Sequence, residues 1–441
     1  MKDLHIKMLK DKKTTKKVVA SKPKKRGYQS VKGMHDILPK DQLYWDKIRT
    51  ETKNLADYYH YGRIDTPLVE QADLFEKGVG EATDIVEKQM FVLKGGKDKL
   101  VLRPEGTASV VRAYLQHGLT HRPQPVKLYY IGPMFRKERP QEGRFRQFHQ
   151  AGFEIIGDGN DAIYDAQIVL SCYRLLESLK IKKLDIQINT IGCKVCRPDY
   201  RRRLVDYYKK KKVCDNCERR LKINPLRILD CKDDKCQEFK KDAPVILDCL
   251  CADCKSQFKG VLEYLEELGL PYSLNNYLVR GLDYYSQTVF EIFAEGSDGA
   301  LASGGRYDYL AKILGGKDTS AVGVGIGLER VIAAMKKNEV KLIAKQKPKV
   351  FFIHVGSLAK KKSLGLIEEL KNAGVRIGEA LGKGSLQAQL RQADKDEAAI
   401  ALIFGQKEAF EKSIIIRDLA TGSQESVLLD KFIKEVKKKL K

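Results

Sequence analysis

Long apolar runs are missing from this chain of 441 residues. No segment approaches the ~20 consecutive apolar residues of a membrane-spanning helix, which excludes an integral membrane protein of that kind. The lysine-rich beginning lacks the continuous apolar stretch of a secretory signal, and its scarcity of arginine argues against an organelle presequence. No GxxxxGK[ST] loop is present, which argues against a P-loop NTPase, and the glycine run at 323–327 has GxGxG spacing rather than the dinucleotide GxGxxG. Cysteine is almost confined to one stretch: nine of the ten lie between 191 and 257, mostly as CxxC pairs. That pattern reads as metal ligation in a reducing compartment, not as a disulfide scaffold.

Acidic residues are in deficit. Lys+Arg number 82 against 58 Asp+Glu, a formal charge of +24 that attracts polyanions and makes nucleic acid the first partner class to consider. Hydrophobic residues are 43%, enough to bury a core and exclude wholesale disorder. The length allows two to four domains. Residues 1–26 hold eleven Lys or Arg against two Asp. A basic arm over 1–27 is therefore expected to be disordered, either a plain solvated tail or an electrostatic contact to RNA.

Apolar residues recurring at three and four (Trp45, Ile48, Leu55, Tyr58, Tyr59) predict a helix over 44–61, stopped by Gly62. Strands are predicted at 91–93, 100–103, 126–131, 152–156, 184–190 and 289–293, with helices at 107–117 (capped by Thr107), 165–179 and 261–268. The cysteine-rich stretch 191–257 is apolar at helical spacing and reads as an inserted module. Gly323–Gly327 is expected to open a helix at Leu328. A lysine-rich polar stretch, 336–349, marks a boundary, and the last ninety-odd residues alternate strand and helix as a separate α/β domain would.

The densest chemical signal is Phe135-Arg136-Lys137-Glu138, followed by Gly143-Arg144-Phe145-Arg146-Gln147-Phe148. Five basic side chains and two acids lie between two strands. Guanidinium grips phosphate in bidentate fashion, so the loop suits a triphosphate or an RNA backbone, although an exposed charged hairpin would look the same. In Gly323-Val324-Gly325-Ile326-Gly327-Leu328-Glu329-Arg330, glycines would let a nucleotide approach the backbone, with Arg330 within reach of its phosphates.

These pieces resemble motifs 2 and 3 of the class II aminoacyl-tRNA synthetases, and the stretch from Tyr61-Gly62 to Thr66-Pro67 resembles motif 1, the dimer interface of that class. Three further stretches resemble signatures of the histidyl-tRNA synthetase family, bacterial type: Leu102-Arg103-Pro104-Glu105-Gly106-Thr107, Leu278-Val279-Arg280-Gly281-Leu282-Asp283-Tyr284-Tyr285 and Gly304-Gly305-Arg306-Tyr307-Asp308. The resemblance covers roughly residues 33–441.

It implies an α+β fold. A class II antiparallel sheet flanked by helices would occupy 28–340 with the module at about 191–257 inserted, and a mixed-sheet anticodon-binding domain would occupy 348–441. It implies a cytoplasmic, homodimeric ligase of protein biosynthesis that activates L-histidine with ATP and Mg2+ and then charges the 3′ end of tRNA(His). By the same resemblance Arg136 and Arg280 are catalytic, and Arg136, Glu138, Arg144 and Arg330 bind ATP. Glu105, Gly106, Thr107, Gln150, Glu154, Arg280, Tyr284, Tyr285 and Tyr307 bind histidine. Aromatic core packing is the alternative for Tyr284 and Tyr307. The stretch from Leu386 to Asp394 resembles a helix of the anticodon-binding domain.

Cys193-x2-Cys196 and Cys214-x2-Cys217, seventeen residues apart, match a four-thiolate structural zinc spacing. Cys231, Cys236, Cys249, Cys251 and Cys254 are alternative ligands, and metal-free thiols in a helical insertion are the other reading. Cys172 sits at apolar helical spacing and belongs to the core. Two non-ligase readings compete: the regulatory subunit of ATP phosphoribosyltransferase, and a non-catalytic RNA-binding protein on the same scaffold. The former typically lacks the C-terminal domain and loses catalytic residues, whereas Arg136, Arg280 and Arg330 are all present here.

Overall fold

The computed structural model describes residues 27–440, apart from 81–82, 139–143, 158, 298 and 343–346, so the basic arm lies outside the described residues except for Gly27. The chain divides into two compact units, Met1–Leu342 and Ile343–Lys441. The first contains β1 (Gly62–Arg63), β2 (Val69–Gln71), β3 (Phe91–Val92), β4 (Leu100–Leu102), β5 (Val126–Phe135), β6 (Gln147–Ile156), β7 (Leu184–Thr190), β8 (Tyr272–Leu274), β9 (Ser286–Ala294), β10 (Ala302–Arg306) and β11 (Ala321–Gly327).

Eight of these form one sheet in the order β1-β5-β6-β11-β10-β9-β7-β8. Pairing is antiparallel through the centre and parallel only at the two edges, β1 on β5 and β8 on β7. Period-two alternation sorts the side chains. One face carries Phe153, Ile155, Ile186, Ile188, Phe290, Ile292, Val322 and Val324, all sealed by the helices Gln42–Tyr58, Ala162–Ser178, Ala252–Glu267 and Leu328–Lys337. Each large apolar side chain so covered contributes ~1.5–3 kcal/mol. The opposite face packs against Ala72–Val79, Thr107–Gln116 and the insertion, and holds the chemistry.

The helix expected over 44–61 is Gln42–Tyr58. Gly62 does not stop it. His60 does, with φ +59, and the Tyr61 amide donates back to Ala56 O at 2.8 Å; Gly62 is the first residue of β1. The strands around the arginine-rich turn run ten residues each, longer than expected. The helix read as beginning at Val261 begins at Ala252, so Cys254 stands in its first turn.

Between β7 and β8 the described residues form no strand. They form the helices Arg197–Tyr208, Asp215–Ile223, Asp234–Lys240 and Ala252–Glu267, with short 3-10 segments between them. The expected union of Cys193, Cys196, Cys214 and Cys217 in one site is overturned. Cys193 and Cys196 converge with Cys251 and Cys254, and Cys214 and Cys217 converge with Cys231 and Cys236. The intervening helix Arg197–Tyr208 explains this: twelve residues in an α-helix rise ~18 Å, too far for one metal to bridge. Cys249 belongs to neither group, and Cys172 is fully buried in the helix-covered core.

The second unit has β12 (Val350–His354), β13 (Ile377–Glu379), β14 (Ile400–Phe404), β15 (Ser413–Asp418) and β16 (Gln424–Leu428) in the order β13-β12-β14-β15-β16, parallel on the first two pairings and antiparallel on the last two. Small cores cover both faces of this mixed sheet. The helix Leu386–Lys395 is capped by Ser385, whose hydroxyl accepts from the Ala388 amide at 3.1 Å, and its buried Gln389 exchanges two hydrogen bonds with the backbone of His354.

Candidate active site

Alternation along β6 and β11 builds the floor. On β6, Ala151, Phe153 and Ile155 enter the helix-covered core, so Phe148, Gln150 and Glu154 share the other face. On β11, Val322, Val324 and Ile326 fill that same core, and Gly323, Gly325 and Gly327 leave the opposite face bare. The glycine run expected to open a helix is itself the body of a strand, and the helix starts at Leu328 as expected. A Cβ on Gly323 would collide with the Glu154 carboxylate paired across from it, and one on Gly325 would lie 2.9 Å from Gln150 Nε2.

Above this floor lies a cavity of about 540 Å³. Glu105, Thr107, Arg136, Glu138, Arg144, Gln150, Arg280, Tyr284, Tyr285 and Arg330 all line it. Gly106, Glu154 and Tyr307 stand behind the wall. Gly106 is there for space: a Cβ would strike the ring of Tyr130, which reaches the cavity through that gap.

Four guanidinium groups converge. Arg136 Nε donates to Pro104 O at 2.8 Å, and its guanidinium lies 5.1 Å from the centroid of the Phe148 ring. Arg280 pairs with Glu291 and lies over Tyr285. Arg330 Nη1 donates to Ala300 O at 2.9 Å, and Arg144 reaches Glu138 at 3.8 Å. Burial holds the Arg136 pKa below its ordinary value, and Arg280 adds to that lowering. Burial does the same at Arg330, with Arg144 adding to it. Burial opposes the Arg280 charge too, but Glu291 and the two tyrosines hold it firmly protonated. Four guanidinium groups thus line one cavity, Arg280 opposing the Arg136 charge and Arg144 that of Arg330, an arrangement that favours a polyanion among them.

The other end is acidic and phenolic. Glu105, not Thr107, caps the helix Thr107–Gln116: its two carboxylate oxygens accept from the amides of Thr107 (2.7 Å) and Ala108 (2.8 Å). This frees the Thr107 hydroxyl to donate to Glu154 Oε1 at 2.9 Å, and the Tyr307 hydroxyl donates to Glu154 Oε2 at 2.6 Å. Burial raises the Glu105 pKa. At Glu154 burial outweighs both hydroxyl donors and pushes the pKa up to about 8. Gln150 Oε1 and Arg280 Nε have no hydrogen-bond partner among the described residues. Arg306 of the third signature is structural, paired with Asp165 in a fully buried bridge.

Glu154 carries a pH dependence. The unfolded chain releases this proton near 4.5 and the folded chain near 8, so between those values the folded state binds more protons and stability falls as pH rises. At ~1.4 kcal/mol per pKa unit the loss is of order 5 kcal/mol across the window. Glu154→Gln, which mimics the protonated acid, should remove this component. The difference between variant and wild-type unfolding free energies should grow in the variant's favour from pH 5 to pH 8.5; parallel curves by urea titration would show that Glu154 does not hold its proton.

Sequence reasoning missed Tyr130, Phe148, Glu291 and Ser303, which also line the cavity. Phe148 was within reach, two residues from Gln150 on an alternating strand. Glu291 needed the pairing of β9 with β10, which sets it opposite Ser303. Asp230 and Lys232, from the insertion, carried no local signal.

Residues 33–331 match the histidyl-tRNA synthetase family, and residues 349–439 match the anticodon binding domain. The chain is 44% identical to a histidine–tRNA ligase of Dehalococcoides mccartyi over 94% of this chain and 100% of that protein. It is 42% identical to that of Pelotomaculum thermopropionicum over 93% and 97%. Among solved structures it is similar to apo histidyl-tRNA synthetase of S. aureus (TM-score 0.75, 30% identity, 93% of this chain and 99% of that one). An ATP phosphoribosyltransferase regulatory subunit/histidyl-tRNA synthetase from Bacillus halodurans C shares the fold at TM-score 0.61 and 20% identity, over 87% of this chain and 99% of that one.

Proposed function

The chain belongs to the histidyl-tRNA synthetase family of class II aminoacyl-tRNA synthetases, and from that premise we propose how its own residues perform histidine activation and tRNA charging. ATP lies along the arginine-lined part of the cavity, with Arg136 and Arg280 on the α-phosphate and Arg144 and Arg330 on the β- and γ-phosphates. Histidine occupies the acidic and phenolic end. Its α-ammonium donates to Glu105, Thr107 Oγ1 and Gln150 Oε1, the last an acceptor with no other partner among the described residues. Its imidazole meets Tyr284 and Tyr285, backed by the Tyr307–Glu154 pair. Because Glu154 keeps its proton near neutral pH, this end holds one buried negative charge fewer than its carboxyl groups suggest.

The histidine carboxylate attacks the α-phosphorus in line with departing pyrophosphate. Negative charge gathers on the transferring group, and guanidinium groups already fixed by Pro104 O, Glu291 and Ala300 O stabilise it without reorganising. The adenylate then passes histidine to the terminal ribose of tRNA(His), and the C-terminal unit binds the anticodon. Magnesium bound to triphosphate needs only one or two protein carboxylates; Glu138 and Glu291 on the wall fit that need, and the ion supplies charge neutralisation when bound. The protein works as a homodimer through the stretch around Tyr61 to Pro67, in the cytoplasm. A polar pocket rejects apolar amino acids because its buried groups would be left unpaired.

The observation that carries this reading is the convergence of Arg136, Arg144, Arg280 and Arg330 on one cavity that ends in Glu105 and Tyr284. Purified protein should exchange labelled pyrophosphate into ATP with histidine and with no other amino acid. Absence of exchange with every amino acid would defeat it.

A further inference from the structure

Outside the active site, the strongest unassigned chemistry is in the insertion. Eight of its nine cysteines gather into two groups of four, and within each group the sulfurs lie within 4.8 Å of one another. The Cys193 sulfur stands 3.6 Å from that of Cys196 and 3.9 Å from that of Cys251, and the Cys214 sulfur 3.8 Å from that of Cys231. Four ligands at the ~2.3 Å zinc–sulfur distance stand ~3.8 Å apart along the edges of a tetrahedron. They are too close to enclose an iron–sulfur cluster, whose own irons and sulfides would have to lie between them.

The surrounding backbone suits thiolates. Cys196 Sγ accepts from the Cys251 amide at 3.1 Å, Cys193 Sγ from the Val195 amide at 3.3 Å, and Cys236 Sγ from the Cys214 amide at 3.3 Å. Such N–H···S contacts arise where a knuckle turns its amides toward a ligating sulfur, and they spread the charge of a four-thiolate site. None of the eight is disulfide-bonded, and five are nearly inaccessible.

We propose that this protein carries two independent structural zinc ions, one held by Cys193, Cys196, Cys251 and Cys254, the other by Cys214, Cys217, Cys231 and Cys236. The first ties the start of the module, just after β7, to the start of the helix that returns to the core. Beside it, Arg197 donates to Gly192 O at 3.2 Å and to Tyr285 O at 2.6 Å, so this clasp abuts the turn before β9 that bears Tyr284 and Tyr285. The second closes the middle of the module. Its ligand Cys231 stands between Asp230 and Lys232, both on the cavity wall, and Asn224 donates to Asp283 at 2.8 Å in the neighbouring signature. The second ion thus holds part of the active-site wall, a consequence that rests on the synthetase reading, whereas the metal assignment does not.

Protein purified without chelator or added metal should contain two zinc ions per chain by elemental analysis. Cobalt substitution should give thiolate charge-transfer and tetrahedral d–d bands of an intensity set by two four-sulfur sites. Cys251→Ser and Cys214→Ser should each retain one ion, and Cys249→Ser both. None or one in wild-type protein, iron with sulfide, or loss of an ion in Cys249→Ser would overturn the proposal, and the wild-type measurements stand even if a variant fails to fold. Two ions in a protein without pyrophosphate exchange would sink the synthetase reading and leave the metal sites intact.

Discussion

Arg280→Ala should lower histidine-dependent pyrophosphate exchange by ~10²–10³, the cost of removing one preorganised donor from a transition state that gathers charge, ~3–4 kcal/mol. Most of that loss should fall on kcat, with KM for ATP moving less, because the α-phosphate is only one of several groups that bind the nucleotide. The local consequences are mixed. Removing the guanidinium leaves the half-buried Glu291 without its ion-pair partner but relieves the repulsion felt by Arg136. Two controls separate chemistry from packing. Guanidinium ion added to the variant should restore part of the rate. Arg280→Lys should restore the charge without the planar fork and remain well below wild type. An Arg280→Ala enzyme with near-normal kcat would remove this residue from the reaction and force a different assignment of the cavity.

Gly323→Ala is expected to cost the catalytic unit about 3 kcal/mol or more. The new methyl would collide with the Glu154 carboxylate, and Phe153 O lies 2.9 Å away on the other side. Glu154 cannot move aside cheaply, since Thr107 and Tyr307 both hold it. Overpacking a close-fitting site costs ~1–3 kcal/mol, and breaking a buried hydrogen bond adds ~1–3 kcal/mol. The matched comparison is Gly365→Ala on the exposed face of the helix Ser357–Asn372, where nothing lies within 4 Å of the added carbon. There the same chemical change should stabilise the C-terminal unit by ~0.5–1 kcal/mol, through reduced backbone freedom of the unfolded chain. Opposite signs in urea unfolding, each followed by a probe in its own unit, are the expected result. A neutral Gly323→Ala would mean that the floor has slack.

The success and failure of sequence reasoning divide along physical lines. Arg136 and Arg330 could be singled out because each stands in a short motif whose residue types suit phosphate, whereas Arg280 came from the family resemblance alone; the structure brings all three to one cavity. The antiparallel catalytic sheet was expected from the family resemblance, its two parallel edge pairings were not, and the second α/β unit was legible because strand and helix spacing alternate over many residues. The helix start at Leu328 was legible but the strand before it was not, because glycine was weighed as backbone freedom although Val322, Val324 and Ile326 alternate with it as in any half-buried strand. The cysteine pairing failed for a related reason. Spacing along the chain shows which residues form a knuckle, but which knuckles meet depends on how far the helix Arg197–Tyr208 carries the chain between them. The cap on Thr107–Gln116 was assigned to the wrong side chain because glutamate is not among the usual cap residues and Glu105 stands one residue before the cap position, Gly106.

The bare main chain of Gly325 and Gly327 on the cavity wall has one more consequence. That patch has no rotamers, so its contour is set by sheet register and cannot relax to accept a bulkier guest. Discrimination at that depth therefore belongs to the architecture. Selection for a different amino acid would have to act on the walls, while any side chain acquired below would shrink the chamber and never reshape it.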